Sequence, residues 1–298
     1  MEPGELTPPV PDSYLTDCAL VSLTSTYSAP TPGMGSRYID GAVAHEVRLL
    51  TIGPVGEALA GAGRQGVGET VLQAALGSRR LAGFADVRAA GYLAPLARAA
   101  SLGESTPRVL SRLGASEIAP LAAALETAGS DGPLAGALAM ATHAGSEATL
   151  RDAVRFASGR DPLAREYARD YEVTAQLARP ALLSALSRSG YARAALVQAY
   201  LEVLSEVPDL DVVERAGRRE ADDVSRMANG VLKAGGVFSG RGLQGIANLD
   251  GLLRDDQRLT PSATEPPIIA AAFLTTMEYG VESIAGQLRP ATGGNRGR

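Results

Sequence analysis

The sequence predicts an all-α protein that folds as a single multi-helix domain of roughly nine to eleven helices. Apolar residues recur at helical spacing along most of the chain, and alternation at period two over a strand length is scarce. Alanine and leucine, which form helices readily, are abundant, and runs of β-branched residues are short. Clusters of glycine and proline divide the apolar pattern into segments of helical length.

The individual helices are predicted from their breaks, their caps and their apolar stripes. Loops are expected at 29–35, 61–66, 130–133, 235–236 and 266–267. Thr149 with Asp152 has the spacing of a capping box, and Asp161 before Pro162 is typical of an N-cap, so helices should begin at 150 and 162. Two later helices are predicted from the stripes at Leu196, Tyr200, Val203, Leu204 and Val207, and at Val224, Met227, Ala228, Val231 and Leu232.

The domain boundaries follow from composition. Segments 1–11 and 289–298 are rich in proline, glycine and polar residues, and we expect both to be disordered tails. The chain of 298 residues contains no repeat and no linker long enough to divide it. The sequence therefore predicts one helical domain over 12–288.

Charge and composition exclude several classes of protein. A net charge of −5 and a pI of about 5.3 argue against a nucleic-acid or membrane-surface binder, because both need a basic face. No apolar run approaches the roughly 20 residues of a membrane span, and the start lacks the features of a secretory signal, so we expect a cytoplasmic protein. Cys18 is the only cysteine and is expected to be a buried thiol. Lys233 is the only lysine, so an anion site must use arginine and backbone N–H groups.

Four polar segments could carry chemistry. In 31–40, Gly33 and Gly35 lie near Arg37 and Asp40, a pattern that fits either a phosphate cradle or an ordinary interhelical loop. In 83–88, Asp86 is either a helix cap or a site carboxylate.

The third segment, 160–171, places Asp161, Arg165 and Arg169 on one helix face at i,i+4 spacing, either in a site or on a solvated surface. The fourth combines acidic and basic residues of 209–218 with the polar loop 260–265.

In order along the chain, these segments resemble the landmarks of the triphosphoribosyl-dephospho-CoA synthase family, most closely its archaeal and methylotroph-type branch. The likeness covers about residues 15–285 and rests on the order and spacing of several motifs. They are Thr31-Pro32-Gly33-Met34 for Lys-Pro-Gly-Asn/Leu, 83–88 for a Gly-x-Asn-Thr block, 149–153 with 160–168 for "TLREAM…DRD…ARQYA", 200–209 for "YLALLAAVPDT", and 258–264 for "RLNPGTTADLVAAALF".

The resemblance implies an all-helical fold and a glycosyl, phosphoribosyl-type transferase. Members of the family transfer a 5-triphosphoribosyl group from ATP to the ribose hydroxyl of dephospho-CoA and release adenine. Such a reaction passes through an oxocarbenium-like state that carboxylates stabilise. The triphosphate requires cationic and backbone donors, usually with Mg²⁺. We therefore expect ATP or a related nucleotide as co-substrate and Mg²⁺ as cofactor.

The roles that the resemblance implies fall on residues of all four segments. Asp86 and Asp40 are the expected catalytic carboxylates, and Asp161 and Asp209 the expected Mg²⁺ ligands. The residues expected to bind substrate or phosphate are Gly33, Arg37, Arg88, Arg160, Arg165, Arg215, Arg218, Ser262 and Thr264.

The sequence also departs from the family pattern at several polar positions. Thr31 stands in place of the motif lysine, Phe84 and Ala85 replace the Asn-Thr pair, and Glu265, followed by two prolines, stands in place of an aspartate. Two functions remain open. One is a nucleotide-dependent transferase of diverged specificity for a nucleotide or CoA-like substrate. The other is a non-catalytic pseudoenzyme or scaffold, in a homodimer or paired with an active paralogue. A third possibility, an unrelated helical reaction such as a cyclase or lyase in secondary metabolism using the same pocket, gains no positive support from an aromatic content of only 4%.

Overall fold

The computed structural model describes residues 9–144 and 148–288. Within these ranges there are sixteen α-helices and no strand, apart from one isolated bridge between Ser36 and Ile39, which confirms the predicted all-helical, single-domain class. The predicted tail at 289–298, and residues 1–8 of the other, lie outside the described part.

The helices are α1 Asp12–Tyr27, α2 His45–Ala60, α3 Val67–Ala82, α4 Val87–Leu102, α5 Thr106–Ser111, α6 Ile118–Thr127, α7 Pro133–Ala144, α8 Leu150–Ala157, α9 Pro162–Ala168, α10 Arg179–Ser189, α11 Ala192–Glu206, α12 Leu210–Ala216, α13 Arg218–Lys233, α14 Gly240–Asp255, α15 Glu265–Tyr279 and α16 Glu282–Ala285.

The predicted number of nine to eleven helices was too low, because the period of the apolar pattern cannot resolve a helix of one or two turns. The helices α5, α8, α9, α12 and α16 have eight residues or fewer. The other eleven in the described ranges have ten residues or more, and their number agrees with the prediction.

The predicted caps are confirmed. Thr149 and Asp152 form a reciprocal capping box at the start of α8. The Asp161 carboxylate accepts the Ala164 N–H at 2.9 Å at the start of α9. The loop predicted at 266–267 was wrong. Pro266 and Pro267 occupy the first turn of α15, where a missing N–H leaves no hydrogen bond unmade.

The buried apolar side chains form two clusters. The first is built mainly from α1 to α9 and the second mainly from α10 to α14. α15 serves both clusters: Ile269 and Phe273 pack in the first, and Ile268 and Ala272 in the second. Its apolar residues cover the whole circumference, as in a helix enclosed by its neighbours. Cys18 is fully buried in the first cluster, as predicted.

No single helix in the described ranges has the length and apolarity to cross a membrane. α15 and the segment Glu282–Leu288 meet that criterion only when taken together, and the chain bends by 111° between them.

Candidate active site

A cleft of about 680 Å³ opens where α1 ends and where α4 and α15 begin. The loop 33–43 and parts of α12 and α14 complete its walls. This volume is within the range of about 300–1,000 Å³ that is usual for small-molecule sites. The predicted site residues that line it are Gly33, Asp40, Asp86, Arg88, Arg215 and Ser262.

Asp86 caps α4 and also lines the cleft, so its role as a helix cap does not remove it from the candidate site. Its Oδ1 accepts the Ala89 N–H at 3.3 Å at the start of α4. Its Oδ2 accepts the Tyr27 hydroxyl at 2.5 Å and the Thr51 hydroxyl at 3.0 Å. Only 6% of the residue is exposed. The Thr51 hydroxyl also lies 2.7 Å from the Arg48 carbonyl, so Tyr27 is the main donor that orients the carboxylate through Oδ2.

Arg48 and Glu265 form a buried ion pair beside this carboxylate. The Arg48 guanidinium donates through Nη1 to Glu265 Oε1 at 3.1 Å and through Nη2 to Oε2. It also lies over the Tyr27 ring, 3.7 Å from the centroid. The two side chains of the pair are 12% and 6% exposed. We call Glu265, Arg48, Tyr27 and Asp86, which contact one another in that order, the buried relay.

A second group of charges lies nearer to solvent. Arg88 donates through Nη2 to Asp211 Oδ1 at 3.0 Å and through Nη1 to Oδ2. The Ser262 hydroxyl donates to the same carboxylate at 2.6 Å. Arg215 donates through Nε to the backbone oxygen of Asp211 at 3.0 Å and through Nη2 to the Thr260 carbonyl. We call Arg88, Asp211, Arg215 and Ser262 the open cluster, because the Arg88 side chain is 46% exposed.

Asp209 lies behind the open cluster, and its pKa is shifted in the opposite direction from that of Asp211. Burial raises the pKa of Asp209 to about 6, and the neighbouring Asp211 charge adds to the rise. Burial would also raise the pKa of Asp211, but the hydrogen bond and charge of Arg88 hold it below its ordinary value. Asp209 accepts the N–H groups of Asp211 and Val212 at 2.9 and 3.1 Å and the Thr264 hydroxyl at 2.8 Å.

The two residues predicted to bind Mg²⁺ do not fit a metal site of their own. Asp209 caps α12 and Asp161 caps α9, so each carboxylate is committed to backbone N–H groups. Burial raises the pKa of Asp161 as well, which favours its neutral form. Across 9–144 and 148–288, no three His, Cys, Asp or Glu side chains are arranged to hold a metal ion.

The loop 33–43 is held against α14 by contacts that the sequence did not predict. The Gly33 N–H, expected to face a phosphate, donates to Asp250 Oδ1 at 2.8 Å. Arg254 donates to the Met34 carbonyl at 2.6 Å and to the Asp40 carbonyl at 3.1 Å. Asp40 is exposed and lines the cleft, and its carboxylate makes no hydrogen bond or ion pair within the described residues.

The remaining predicted residues lie outside this cleft. Arg37 is exposed beside the Tyr38 ring, Arg160 is exposed after α8, and Arg218 is exposed and donates to Asp222 at 2.9 Å. Arg165 and Thr264, together with Asp209, line a separate void of about 20 Å³, which has room for about one water molecule.

Sequence reasoning missed Tyr27 and Arg48 as site residues. Arg48 is the only arginine or lysine in α2, whose other residues are mainly apolar, and a lone cation in such a helix is a signal that could have identified it. Tyr27 gives no signal of its own, because its partner Asp86 is 59 positions away.

Comparison with known proteins gives a consistent result. The family model described as CitG, ATP:dephospho-CoA triphosphoribosyl transferase, matches residues 48–284. A solved structure described as a triphosphoribosyl-dephospho-CoA synthase from Archaeoglobus fulgidus superimposes with a TM-score of 0.55. It is 20% identical over 79% of this chain and 98% of its own, which shows that the fold is shared. Comparison with curated proteins gives no significant match.

The family model covers Arg48, Asp86 and Glu265 of the buried relay and the whole open cluster, whereas Tyr27 and the cleft loop 33–43 lie before the matched residues. The predicted resemblance is thereby confirmed, as is the expectation of a transferase family: the chain belongs to the ATP:dephospho-CoA triphosphoribosyl transferase family.

Proposed function

We propose that this chain binds ATP or a related nucleotide in the cleft and transfers its phosphorylated ribosyl group to a CoA-like acceptor. The observation that carries the proposal is the pairing, in one cleft, of a buried carboxylate, Asp86, with an arginine-rich open cluster. Membership of a family whose reaction is ATP-dependent triphosphoribosyl transfer to dephospho-CoA supports it. Because the proposed reaction uses ATP, we also propose that the protein is cytoplasmic.

The proposed reaction needs a negative charge beside the anomeric carbon. The bond from C1′ to the base breaks, and the base leaves with the electron pair and takes up a proton. The acceptor hydroxyl forms the new bond to C1′ and loses its proton, which we assign to Asp40 because it is exposed at the cleft and its carboxylate has no partner among residues 9–144 and 148–288. Asp86 Oδ1, which accepts only one long hydrogen bond, is assigned to the oxocarbenium-like ribosyl group.

The phosphates are assigned to the open cluster. Arg88 and Arg215 both line the cleft, and both are exposed enough to exchange a contact with Asp211 or Ser262 for one with an anion. Apolar side chains, among them Phe84, Val43 and Ile269, line another part of the cleft and suit the face of a base.

The test is release of the base. The protein is incubated with ATP, GTP or NAD, with and without dephospho-CoA, and the free base is measured by chromatography. We expect adenine release that requires ATP and the acceptor. Asp86→Asn should lower the rate by about 100-fold or more, the usual effect of removing one electrostatic partner of a transition state.

Asp152→Asn is the matched control, because Asp152 also accepts backbone and hydroxyl donors at a helix start but lies outside the cleft. We expect it to retain the full rate. Absence of base release from every nucleotide, with every acceptor, would contradict the proposed reaction.

Two observations favour a non-catalytic function. First, two cleft arginines already have carboxylate partners within the chain, Arg48 with Glu265 and Arg88 with Asp211. In addition, Thr31, at the position of the family lysine, is 1% exposed and does not line the cleft. This alternative, a scaffold in a homodimer or beside an active paralogue, predicts a stable stoichiometric complex and no base release by the isolated chain.

A further inference from the structure

We infer that Tyr27 and Arg48 are positioning residues, which hold the Asp86 carboxylate in one orientation for ribosyl transfer through the buried relay. The inference rests on the proposed function, because Asp86 is the carboxylate assigned to the ribosyl group. It adds two residues, from α1 and α2, to which neither the sequence motifs nor the family resemblance gave a role.

The first step of the argument concerns which oxygen of Asp86 is available. Tyr27 donates to Oδ2 at 2.5 Å, and the Thr51 hydroxyl, whose one proton is shared with the Arg48 carbonyl at 2.7 Å, lies 3.0 Å from the same oxygen. Rotation of the carboxylate would break the buried Tyr27 hydrogen bond, which is expensive to leave unmade, and would lose the Thr51 contact. Oδ2 is therefore the anchored oxygen, and Oδ1 is the oxygen left for a substrate atom.

The second step concerns the strength of the Tyr27 hydrogen bond. Burial, with the nearby Asp86 charge, raises the pKa of Tyr27 well above its ordinary value, so the hydroxyl keeps its proton and stays a donor. The Arg48 guanidinium lies 3.7 Å from the ring centroid. A cation over the ring face draws electron density from the phenol and makes its hydroxyl a stronger donor.

The third step concerns the charge of Arg48. Glu265 binds the guanidinium through both of its oxygens, and the two side chains are 12% and 6% exposed. This bidentate pair holds Arg48 over the ring, and Glu265 is the largest charge partner of the guanidinium, with Asp86 a smaller one. Arg48 therefore acts on Asp86 mainly through the Tyr27 hydroxyl.

The first experiment separates positioning from binding. Tyr27→Phe keeps the buried ring and removes only the hydroxyl, so we expect the protein to fold. We expect kcat for base release to fall about 10- to 100-fold with KM for ATP within about twofold of the wild type, because the loss affects only the transition state.

Tyr167→Phe is the control. It removes an equally buried hydroxyl, which donates to the Gly91 carbonyl at 2.7 Å away from the cleft. Its kcat should equal that of the wild type. An unchanged kcat in Tyr27→Phe, or an equal fall in both variants, would overturn the inference.

The second experiment needs no turnover. A phenol proton in so short a hydrogen bond to a carboxylate should give a proton NMR resonance downfield of the amide region. We expect the resonance to be absent in Tyr27→Phe and Asp86→Asn, shifted in Arg48→Lys, and unchanged in Tyr167→Phe.

The two experiments distinguish the possible failures. Absence of base release by the wild type overturns the proposed function, and the resonance still decides whether the relay holds Asp86. A resonance that Arg48→Lys leaves unmoved overturns the role of Arg48. If the wild type has no downfield resonance that disappears in Tyr27→Phe, the buried relay itself is overturned.

Discussion

The buried relay and the open cluster both pair an arginine with a carboxylate at the same cleft, yet they differ in exposure. In the relay, the Arg48 and Glu265 side chains are 12% and 6% exposed. In the open cluster, Arg88 and Asp211 are 46% and 16% exposed. The relay joins α1, α2, α4 and α15 at their buried faces, whereas the open cluster lies where α4 and α12 meet solvent.

This difference determines what each pair can do. A buried charge cannot lose its partner without a large free-energy loss, so the relay has a single arrangement. In the open cluster, the Arg88 side chain is 46% exposed, so it can exchange Asp211 for another anion at a lower cost than Arg48 could exchange Glu265. We conclude that the relay is suited to fixing a catalytic group, and the open cluster to exchanging Asp211 for the phosphates of a ligand.

The largest expected effect tests the rigidity of the relay. Glu265→Ala leaves the Arg48 guanidinium buried without a carboxylate, which should lower the free energy of unfolding by about 3–5 kcal/mol. Chemical denaturation measures this loss. The matched control is Glu278→Ala, which removes the partner of Arg179 in a pair 27% and 35% exposed and should cost about 1 kcal/mol or less. An equal loss of unfolding free energy in both variants would show that the cost of breaking an ion pair does not depend on its burial here.

The next effect concerns Asp209, at the back of the open cluster. Its pKa rises from 3.8 to about 6 in the folded chain, so the neutral carboxyl is favoured and its stabilising contribution is present below about pH 4. That contribution is lost as the pH rises through 6. Relative to Asp209→Asn, which cannot ionise, the wild type should lose on the order of 3 kcal/mol of unfolding free energy across this window.

Denaturation curves of the two proteins at a series of pH values measure this difference. Thr264→Val provides a further check, because the Thr264 hydroxyl lowers the pKa of Asp209. Removing the hydroxyl should move the midpoint of the stability loss to higher pH. If the unfolding free energies of the wild type and Asp209→Asn change with pH in the same way, the raised pKa of Asp209 is contradicted.

The smallest effect tests whether the open cluster binds phosphate. Arg88→Ala should weaken ATP binding about 10-fold, equal to about 1.4 kcal/mol, since it removes a cation and leaves Asp211 to repel the ligand. Titration calorimetry measures the change, which should diminish as salt is added. The unfolding free energy should fall by less than in Glu265→Ala, because Asp211 keeps the Ser262 hydroxyl and some contact with solvent.

Arg218→Ala is the control for this experiment. The sequence resemblance also assigned Arg218 to phosphate, but the structure places it outside the cleft, in an exposed pair with Asp222. We expect unchanged ATP affinity. Weaker binding in Arg218→Ala than in Arg88→Ala would reassign the phosphate site to the start of α13.

The sequence predicted the helices better than the site. The stripes at Leu196–Val207 and Val224–Leu232 correspond to α11 and α13, because the helical period depends only on residues that are close together in the sequence. For the site, Asp86 and Arg88 were placed in the cleft as expected, whereas Arg37 and Arg218 were not. Residue type and spacing identify a charged segment, but they do not state which way its side chains face.

The sequence by itself determined the all-helical class and the caps at Thr149 and Asp161, because each depends on residues within a few positions of one another. It also determined the family, because the order and spacing of the motifs are read directly along the chain. Only the tertiary structure decided which charges are buried and which are open. The hydrogen bonds that decide it join Arg48 to Glu265 across 217 positions and Arg88 to Asp211 across 123. Burial depends on how distant helices pack against each other, and no local pattern of residues encodes that packing.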